Sequence, residues 1–112
     1  MGVESFETLL QTVAKTPVFV ISKIGCGYCK FLKNDLATMD IPYEELQLDG
    51  SDGDYAAQRQ EVLKFQQNTF PMVFVGGKLI GGYSEFTKLR ATRKLHALLD
   101  ALHVRYVDCN DF

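Results

Sequence analysis

The sequence predicts an α/β fold in which a four-stranded mixed β-sheet has helices on both faces. A strand, a helix and a second strand follow one another between residues 18 and 48, and a crossover of this kind pairs its two strands in parallel. An apolar run at residues 72–75 and a short segment, Lys78-Leu79-Ile80, are separated only by Gly76-Gly77. This turn is typical of an antiparallel hairpin, because glycine permits positive φ. A sheet that contains both kinds of pairing is mixed.

The first element is an amphipathic helix over residues from about 4 to 15. Its apolar residues recur at spacings of three and four, as the buried face of a helix requires: Phe6, Leu9, Leu10 and Val13. We expect the helix to stop before Thr16-Pro17, because the residue before a proline avoids helical backbone angles.

A short strand and a second helix then meet at two cysteines. Residues 18–21 are four consecutive apolar residues, typical of a strand that is buried on both faces. The helix is predicted from apolar residues at helical spacing: Tyr28, Phe31, Leu32, Leu36 and Met39. Cys26 then lies at the helix N-terminus, where unpaired N–H groups and the helix dipole favour thiolate over thiol. Cys29 lies one turn further in, so we expect Cys26 to attack disulfides and Cys29 to resolve them.

The next strand is predicted at residues 43–48, where Leu46 and Leu48 alternate with polar residues as they do in an edge strand. A turn over residues 49–53 follows it. Ser51 and Asp54 resemble a capping box, and they predict a helix that reaches about Gln66.

The hairpin strands are predicted at residues 72–75 and 78–80, and two short helices follow them. Ser84 is predicted to cap a helix from about Glu85 to Arg90, and Thr92 is predicted to cap another. The last helix has an apolar stripe at helical spacing: Leu95, Leu98, Leu99 and Leu102. His96 and His103 lie beside this stripe, and we expect them to be exposed or half-buried.

Composition indicates one globular domain, spanning residues 1–112, with 46% hydrophobic and 23% charged residues. Twelve basic and fourteen acidic residues give a formal net charge of −2, which argues against a nucleic-acid partner. No apolar segment approaches membrane-spanning length, and the N-terminus has acidic residues where a signal peptide has basic ones. We therefore expect a cytoplasmic protein with no membrane partner, and three cysteines suit such a reducing compartment.

The pair Cys26 and Cys29 has two other interpretations. A four-ligand zinc site would need Cys109 together with His96 or His103, from the far end of the chain and without a second paired motif. A structural disulfide is disfavoured, because a strand-to-helix junction is not where a small core needs a cross-link. Neither histidine is expected to be catalytic, since no feature of the chain brings it to Cys26. Cys109 is interpreted most simply as an incidental, oxidation-prone thiol.

Three motifs occur in order along the chain: Cys26-Gly27-Tyr28-Cys29 after the first strand, Thr69-Phe70-Pro71 before the hairpin, and Gly81-Gly82-Tyr83-Ser84-Glu85 after it. Together they resemble the three signatures of a dithiol glutaredoxin. This resemblance implies a thioredoxin fold and a redox-active dithiol at Cys26 and Cys29.

The resemblance also implies a glutathione-binding site around the cysteines. Lys23 and Gln58 match family positions that contact the glycine carboxylate of glutathione, and Tyr28 matches the aromatic residue that packs beside the bound peptide. Pro71 matches a cis-proline that turns the backbone of Phe70 toward the active cysteine, where it can pair with an extended substrate. Thr69 belongs to the same motif.

The third motif is expected to hold the γ-glutamyl end of glutathione. Gly81 and Gly82 let the backbone approach closely, and Ser84 offers hydroxyl and N–H groups to the α-carboxylate. Glu85, where the family usually has aspartate, could pair with the ammonium group. The resemblance therefore implies this set of substrate-binding residues: Lys23, Tyr28, Gln58, Thr69, Phe70, Pro71, Gly82, Ser84 and Glu85.

The implied activity is glutathione-dependent thiol–disulfide exchange by two routes. In the monothiol route Cys26 alone reduces protein–glutathione mixed disulfides, and in the dithiol route Cys26 and Cys29 reduce protein disulfides. The implied partners are glutathione, glutathionylated or disulfide-bonded proteins, and glutathione reductase acting through glutathione. We expect the protein to be a monomer.

The chain departs from the family pattern at Gly27, where proline is common, at Phe70, where valine is usual, and at Asn68, where a basic residue is common. Some plant relatives with glycine at the first of these positions hold a [2Fe–2S] cluster between two subunits, using the first cysteine and glutathione. Cys26 is therefore also a candidate cluster ligand. Three alternatives to the enzyme stay open: a thioredoxin, a cluster-bridged dimer and a zinc-binding structural domain.

Overall fold

The computed structural model describes residues 3–108, which form four strands and five α-helices around one sheet. In chain order the elements are α1 (Phe6–Lys15), β1 (Val18–Lys23), α2 (Gly27–Thr38), β2 (Glu44–Leu48), α3 (Tyr55–Val62), β3 (Met72–Val75), β4 (Lys78–Gly81), α4 (Tyr83–Ala91) and α5 (Lys94–Ala101). A single 3₁₀ turn, Leu63–Phe65, continues α3. None of the helices in the described part of the chain is long and apolar enough to cross a membrane.

The strands are arranged in the order β2-β1-β3-β4. β1 pairs in parallel with β2, and the two remaining contacts, β1 with β3 and β3 with β4, are antiparallel. The predicted mixed sheet is therefore confirmed, as are the position of β2 at an edge and the hairpin. Gly76 and Gly77 form the hairpin turn with φ of 62° and 83°, angles that favour glycine.

Each face of the sheet carries its own hydrophobic core. Alternate residues of β1 point to opposite faces, so Val18 and Val20 enter one core and Phe19 and Ile21 the other. The first core holds side chains of α2, α4 and α5, among them Leu32, Leu36, Phe86, Leu95 and Leu99. The second holds side chains of α1 and α3, among them Leu9, Val13 and Val62. Helices thus cover both faces, as predicted.

The predicted capping box at the start of α3 is wrong. Asp54 is the N-cap and makes no side-chain hydrogen bond to the helix. Ser51 instead donates its hydroxyl and its N–H to the carboxylate of Asp49, at 2.7 and 2.9 Å. Because Ser51 binds to Asp49, two residues earlier, it closes a local turn and is not available to cap the helix.

The predicted caps of α4 and α5 are also wrong. Gly82 is the N-cap of α4, and its N–H donates to the Glu85 carboxylate at 2.8 Å, so Ser84 lies inside the first turn. Thr92 ends α4, and its hydroxyl donates to the Lys88 carbonyl at 2.9 Å. Arg93, in the left-handed region with φ of 63°, precedes α5.

The apolar face predicted for α2 is narrower in the structure. Leu32, Leu36 and Met39 are buried, whereas the side chains of Tyr28 and Phe31 are 64% and 56% exposed. These two residues are three positions apart, so they share a different, solvent-facing side of the helix.

His96 is buried, at 6% exposure, contrary to the prediction, and His103 is exposed. The segment after α5 covers it: the Val107 N–H bonds to the Met39 carbonyl at 2.6 Å, and the Tyr106 ring lies 5.4 Å from the imidazole ring. This return of the chain is a long-range contact that no local pattern encodes. Cys109 lies outside the described residues.

Gly81→Ala should destabilise the fold by about 1–3 kcal/mol. Gly81 has φ of +121°, and a Cβ there would lie 2.6 Å from Cγ of Glu85, so the new methyl group is disfavoured by its backbone angles and displaces the carboxylate that caps α4. Urea unfolding measures the change. Gly50→Ala is the control, because its Cβ would meet nothing within 4 Å. Equal free energies of unfolding for the two variants would contradict the conclusion that position 81 requires glycine.

Candidate active site

Cys26 stands at the junction of β1 and α2. The loop between them is held at both sides: the Ile24 N–H bonds to the Leu48 carbonyl of β2 at 2.8 Å, and the Cys26 N–H bonds to the Lys23 carbonyl at 3.2 Å. Cys26 is the N-cap of α2, and its sulfur accepts a hydrogen bond from the Cys29 N–H at 3.2 Å. The predicted position at the helix N-terminus is confirmed, and the sulfur occupies the acceptor position of a helix cap.

The two cysteines have different environments. Cys26 is partly exposed, whereas Cys29 is 1% exposed. Burial, together with a hydrogen bond to the Cys26 sulfur, raises the pKa of Cys29 to about 12. At neutral pH Cys29 is therefore a protonated thiol. Cys26 is the sulfur that an outside disulfide can reach.

The segment before β3 forms the other side of the site. The Phe70–Pro71 bond is cis, and the Phe70 carbonyl oxygen lies 3.5 Å from the Cys26 sulfur. The Gln67 side-chain amide donates to the carbonyls of Thr69 and Pro71, at 2.9 and 3.0 Å. These bonds fix the backbone that faces Cys26.

A groove of about 490 Å³ opens at Phe70, whose carbonyl oxygen lies 3.5 Å from the Cys26 sulfur. Its lining residues come from three separate parts of the chain: Tyr28, Thr69, Phe70, Gly82, Tyr83, Ser84 and Glu85. The structure thus brings together six of the nine residues predicted to bind substrate. Pro71, a seventh, is buried and directly follows the lining residue Phe70 in the chain.

The remaining two predicted residues lie outside the lining of this groove. The Lys23 ammonium group lies 5.7 Å from the centroid of the Phe70 ring, within cation–π range, and so stands next to the groove. Gln58 instead lines a small pocket of about 30 Å³ beside Asp49 and Tyr55. Its buried amide nitrogen has no hydrogen-bond partner among the described residues.

The N-terminus of α4 forms the polar end of the groove. Ser84 is exposed there in the first turn. The hydrogen bond from the Gly82 N–H lowers the pKa of Glu85, so this carboxylate is charged at neutral pH. One of its oxygens is already engaged as the cap of the helix.

Tyr83 lines the groove but was not predicted as a site residue. Its hydroxyl donates to the Asp35 carboxylate of α2 at 2.7 Å, which raises the pKa of the phenol. Its position within the third motif was a signal that could have identified it.

Within residues 3–108 no group of three or more His, Cys, Asp or Glu side chains could hold a metal ion. Of the paired cysteines, Cys26 is partly exposed and Cys29 is buried. Cys26 is therefore the one residue of the pair that could offer a sulfur to a [2Fe–2S] cluster, and the other ligands would have to come from outside this part of the chain.

Comparison with known proteins identifies the family. The model of the family described as Glutaredoxin matches residues 18–80, more than half of the chain. Glutaredoxin-2 of Schizosaccharomyces pombe is 33% identical over 92 residues, which are 82% of this chain and 84% of the relative. Monothiol glutaredoxin-S12, chloroplastic, of Arabidopsis thaliana is 39% identical over 97 residues, 83% of this chain but only 52% of the relative.

Solved structures of glutaredoxins are also similar to this chain. The buckwheat glutaredoxin–glutathione complex has a TM-score of 0.76 and 31% identity, covering 86% of this chain and 87% of that one. The holo form of glutaredoxin C1 from Populus tremula x tremuloides has a TM-score of 0.75 and 28% identity, over 86% and 95% of the two chains. The fold is the thioredoxin fold, and the chain belongs to the glutaredoxin family of thiol–disulfide oxidoreductases.

Proposed function

We propose that this protein uses glutathione to reduce protein–glutathione mixed disulfides by a monothiol route and protein disulfides by a dithiol route. The observation that carries the proposal is the Cys26 sulfur, which accepts the Cys29 N–H at a helix N-terminus next to a groove large enough for a tripeptide. A negative charge on that sulfur is stabilised by the hydrogen bond and by the helix dipole.

In the monothiol route the Cys26 thiolate attacks the glutathione sulfur of a mixed disulfide. A bond forms between Cys26 and glutathione, and the protein thiolate leaves with the electron pair of the broken bond and takes up a proton. A second glutathione thiolate then attacks the bound glutathione sulfur. This step releases glutathione disulfide and restores the Cys26 thiolate.

In the dithiol route Cys26 attacks a protein disulfide and forms a mixed disulfide with one of its sulfurs, while the other sulfur leaves with the electron pair of the broken bond and takes up a proton. Cys29 loses its proton and attacks the Cys26 sulfur, which expels the second protein thiol and leaves a Cys26–Cys29 disulfide. Two glutathiones reduce that bond. Burial raises the pKa of Cys29 in the reduced protein, so Cys29 is a thiol there and has to lose its proton before it resolves the mixed disulfide.

Glutathione is proposed to lie in the groove with its sulfur toward Cys26. The α4 N-terminus and Ser84 would receive the α-carboxylate, because free N–H groups and the helix dipole favour anions there. Lys23 would receive the glycine carboxylate at the other end. The complex of buckwheat glutaredoxin with glutathione supports a site of this kind.

Cys26→Ser should abolish both activities, and Cys29→Ser should abolish only the dithiol one. The monothiol rate of the Cys29 variant should stay within about threefold of wild type, whereas that of the Cys26 variant should fall at least about a hundredfold, because only Cys26 is the attacking sulfur. Glutathione reductase coupling measures the rates on a glutathionylated protein and on a protein disulfide.

Circular dichroism of both variants is the control for folding. Retained monothiol activity in Cys26→Ser would disprove the role of this cysteine. Complete loss of that activity in Cys29→Ser would show that Cys29 is needed for more than resolution.

Alkylation at pH 7 should distinguish the two sulfurs. Iodoacetamide should label Cys26 at least about tenfold faster than Cys29, because Cys29 is 1% exposed and has a pKa of about 12. Trypsin releases both in one peptide, residues 24–30, and fragment-ion mass spectrometry shows which one is labelled. In urea the two rates should become similar. Faster labelling of Cys29 in the folded protein would reverse the assigned roles.

Lys23→Ala should raise the KM for glutathione by about three- to tenfold, with little change in kcat, because a half-exposed charge contributes mainly to binding. Lys78→Ala, in the exposed part of β4, is the control for net charge. An equal effect of the two variants would remove Lys23 from the site. Gln58→Ala tests the predicted contact between glutathione and Gln58 on α3. A raised KM for glutathione would mean that the bound molecule extends beyond Lys23 to this helix.

A [2Fe–2S] cluster bridging two copies is a second candidate property, for which the partly exposed Cys26 at the start of α2 is the candidate ligand. Cys26 would hold the cluster, which would supply iron–sulfur storage or transfer. The absorption spectrum of anaerobically purified protein tests it. Visible absorbance that is lost in Cys26→Ser supports the cluster, and colourless, active protein argues against it.

A further inference from the structure

Three aromatic side chains form a continuous surface next to the groove. The ring centroids of Tyr28, Phe31 and Tyr83 lie 6.0–6.1 Å from one another, and we refer to these three residues as the aromatic wall. Phe31 is 56% exposed and Tyr28 is 64% exposed. Single exposed apolar residues are ordinary, but contiguous ones next to a reactive group mark a binding surface.

The aromatic wall is held in place before any ligand binds. The Tyr83 hydroxyl donates to the Asp35 carboxylate at 2.7 Å, and the Arg90 guanidinium lies 3.7 Å from the other oxygen of Asp35. These contacts fix the Tyr83 ring against Phe31. They also balance the charge of Asp35, so the wall presents apolar ring surface rather than an uncompensated charge.

Phe31 extends this surface beyond the groove. Tyr28 and Tyr83 line the groove, whereas Phe31 lies one turn further along α2 and does not. Glutathione bound in the groove would therefore leave Phe31 open. The other part of the substrate is the polypeptide whose cysteine is bonded to glutathione or to Cys26. This polypeptide also needs a surface to bind.

The chemistry at Cys26 determines which part of that polypeptide comes near the wall. A disulfide bond places the α-carbons of its two cysteines about 4.4–6.8 Å apart, and an extended chain advances about 3.3 Å per residue. Tyr28 and Phe31 follow Cys26 by two and five positions on α2, so they are exposed apolar side chains that the residues adjacent to the substrate cysteine can meet. Glycine in glutathione has no side chain to place there, but a protein substrate has one.

We propose that the aromatic wall binds an aromatic or branched aliphatic side chain adjacent to the reactive cysteine of a protein substrate, with Phe31 as the residue that determines this specificity. The proposal rests on the proposed function and names a substrate class for it. Phe31 discriminates among polypeptides, whereas Tyr28 and Tyr83, which line the groove, also face the glutathione part of the mixed disulfide.

Two glutathionylated peptides that differ only next to the cysteine, with leucine or serine, test the proposal. Wild type should cleave the leucine peptide about tenfold faster in kcat/KM, and Phe31→Ala should reduce this ratio to about twofold or less, since burial of one large apolar side chain has an effect of that order. The mixed disulfide of glutathione with 2-mercaptoethanol should react equally with both proteins. Leu98→Ala is the control, because Leu98 is 39% exposed on α5 and should keep the ratio of wild type.

Several results would overturn the proposal. An unchanged leucine-to-serine ratio in Phe31→Ala would remove Phe31 from substrate selection, and an equal loss on all three substrates would assign it to the chemistry at Cys26. Conversion of a dimer to a monomer by Phe31→Ala, seen by analytical ultracentrifugation, would identify a second copy of the chain as the occupant. Wild-type protein that reduces the small disulfide but shows no leucine preference refutes only this inference, whereas inactivity on every substrate refutes the proposed function.

Discussion

The rigidity of the junction between β1 and α2 is the constraint on which the active site depends. β1 lies between β2 and β3, and five of its six residues are buried, so its end cannot shift without disturbing both cores. α2 is packed on the same sheet through Leu32 and Leu36. With both elements anchored, the Cys29 N–H stays 3.2 Å from the Cys26 sulfur. A hydrogen bond that stabilises a thiolate does so only if its donor need not be reordered for each reaction.

The same junction explains why two cysteines three residues apart behave differently. At the N-cap a side chain lies outside the helix and can remain in solvent, whereas one turn later it is covered by the sheet and by the preceding turn. Burial disfavours the charged form of Cys29, and the hydrogen bond between the two sulfurs reinforces this preference. In the proposed dithiol route, attack and resolution would thus be separated by depth within one turn of helix.

Much of the fold could be predicted from the sequence, because its main elements have strong local patterns: the apolar run of β1, the Gly76-Gly77 turn and the helical spacing of Leu32 and Leu36. The helix caps could not be predicted, because each depends on which of several nearby groups forms a hydrogen bond. Before α3, for example, the Ser51 hydroxyl donates to Asp49 and does not cap the helix. The burial of His96 depends on the chain after α5 returning to Met39. Most of the groove was predicted from the three motifs, but the place of Gln58 depends on how α3 packs.

Phe31 shows why helical spacing alone misassigned one side of α2. The pattern identifies which residues are apolar, and it does not indicate how wide a stripe the sheet can cover. Only the narrow face with Leu32, Leu36 and Met39 meets the core, so Tyr28 and Phe31 remain as apolar surface on the solvent-facing side, Tyr28 in the lining of the groove and Phe31 beyond it. Two separate parts of α2 therefore contribute to recognition, its N-terminus and its exposed aromatic side. Its N-terminus stabilises the sulfur that every disulfide must meet, and its exposed aromatic side can distinguish one polypeptide from another. Because the two are on separate residues, selectivity for protein substrates can change without loss of the glutathione chemistry.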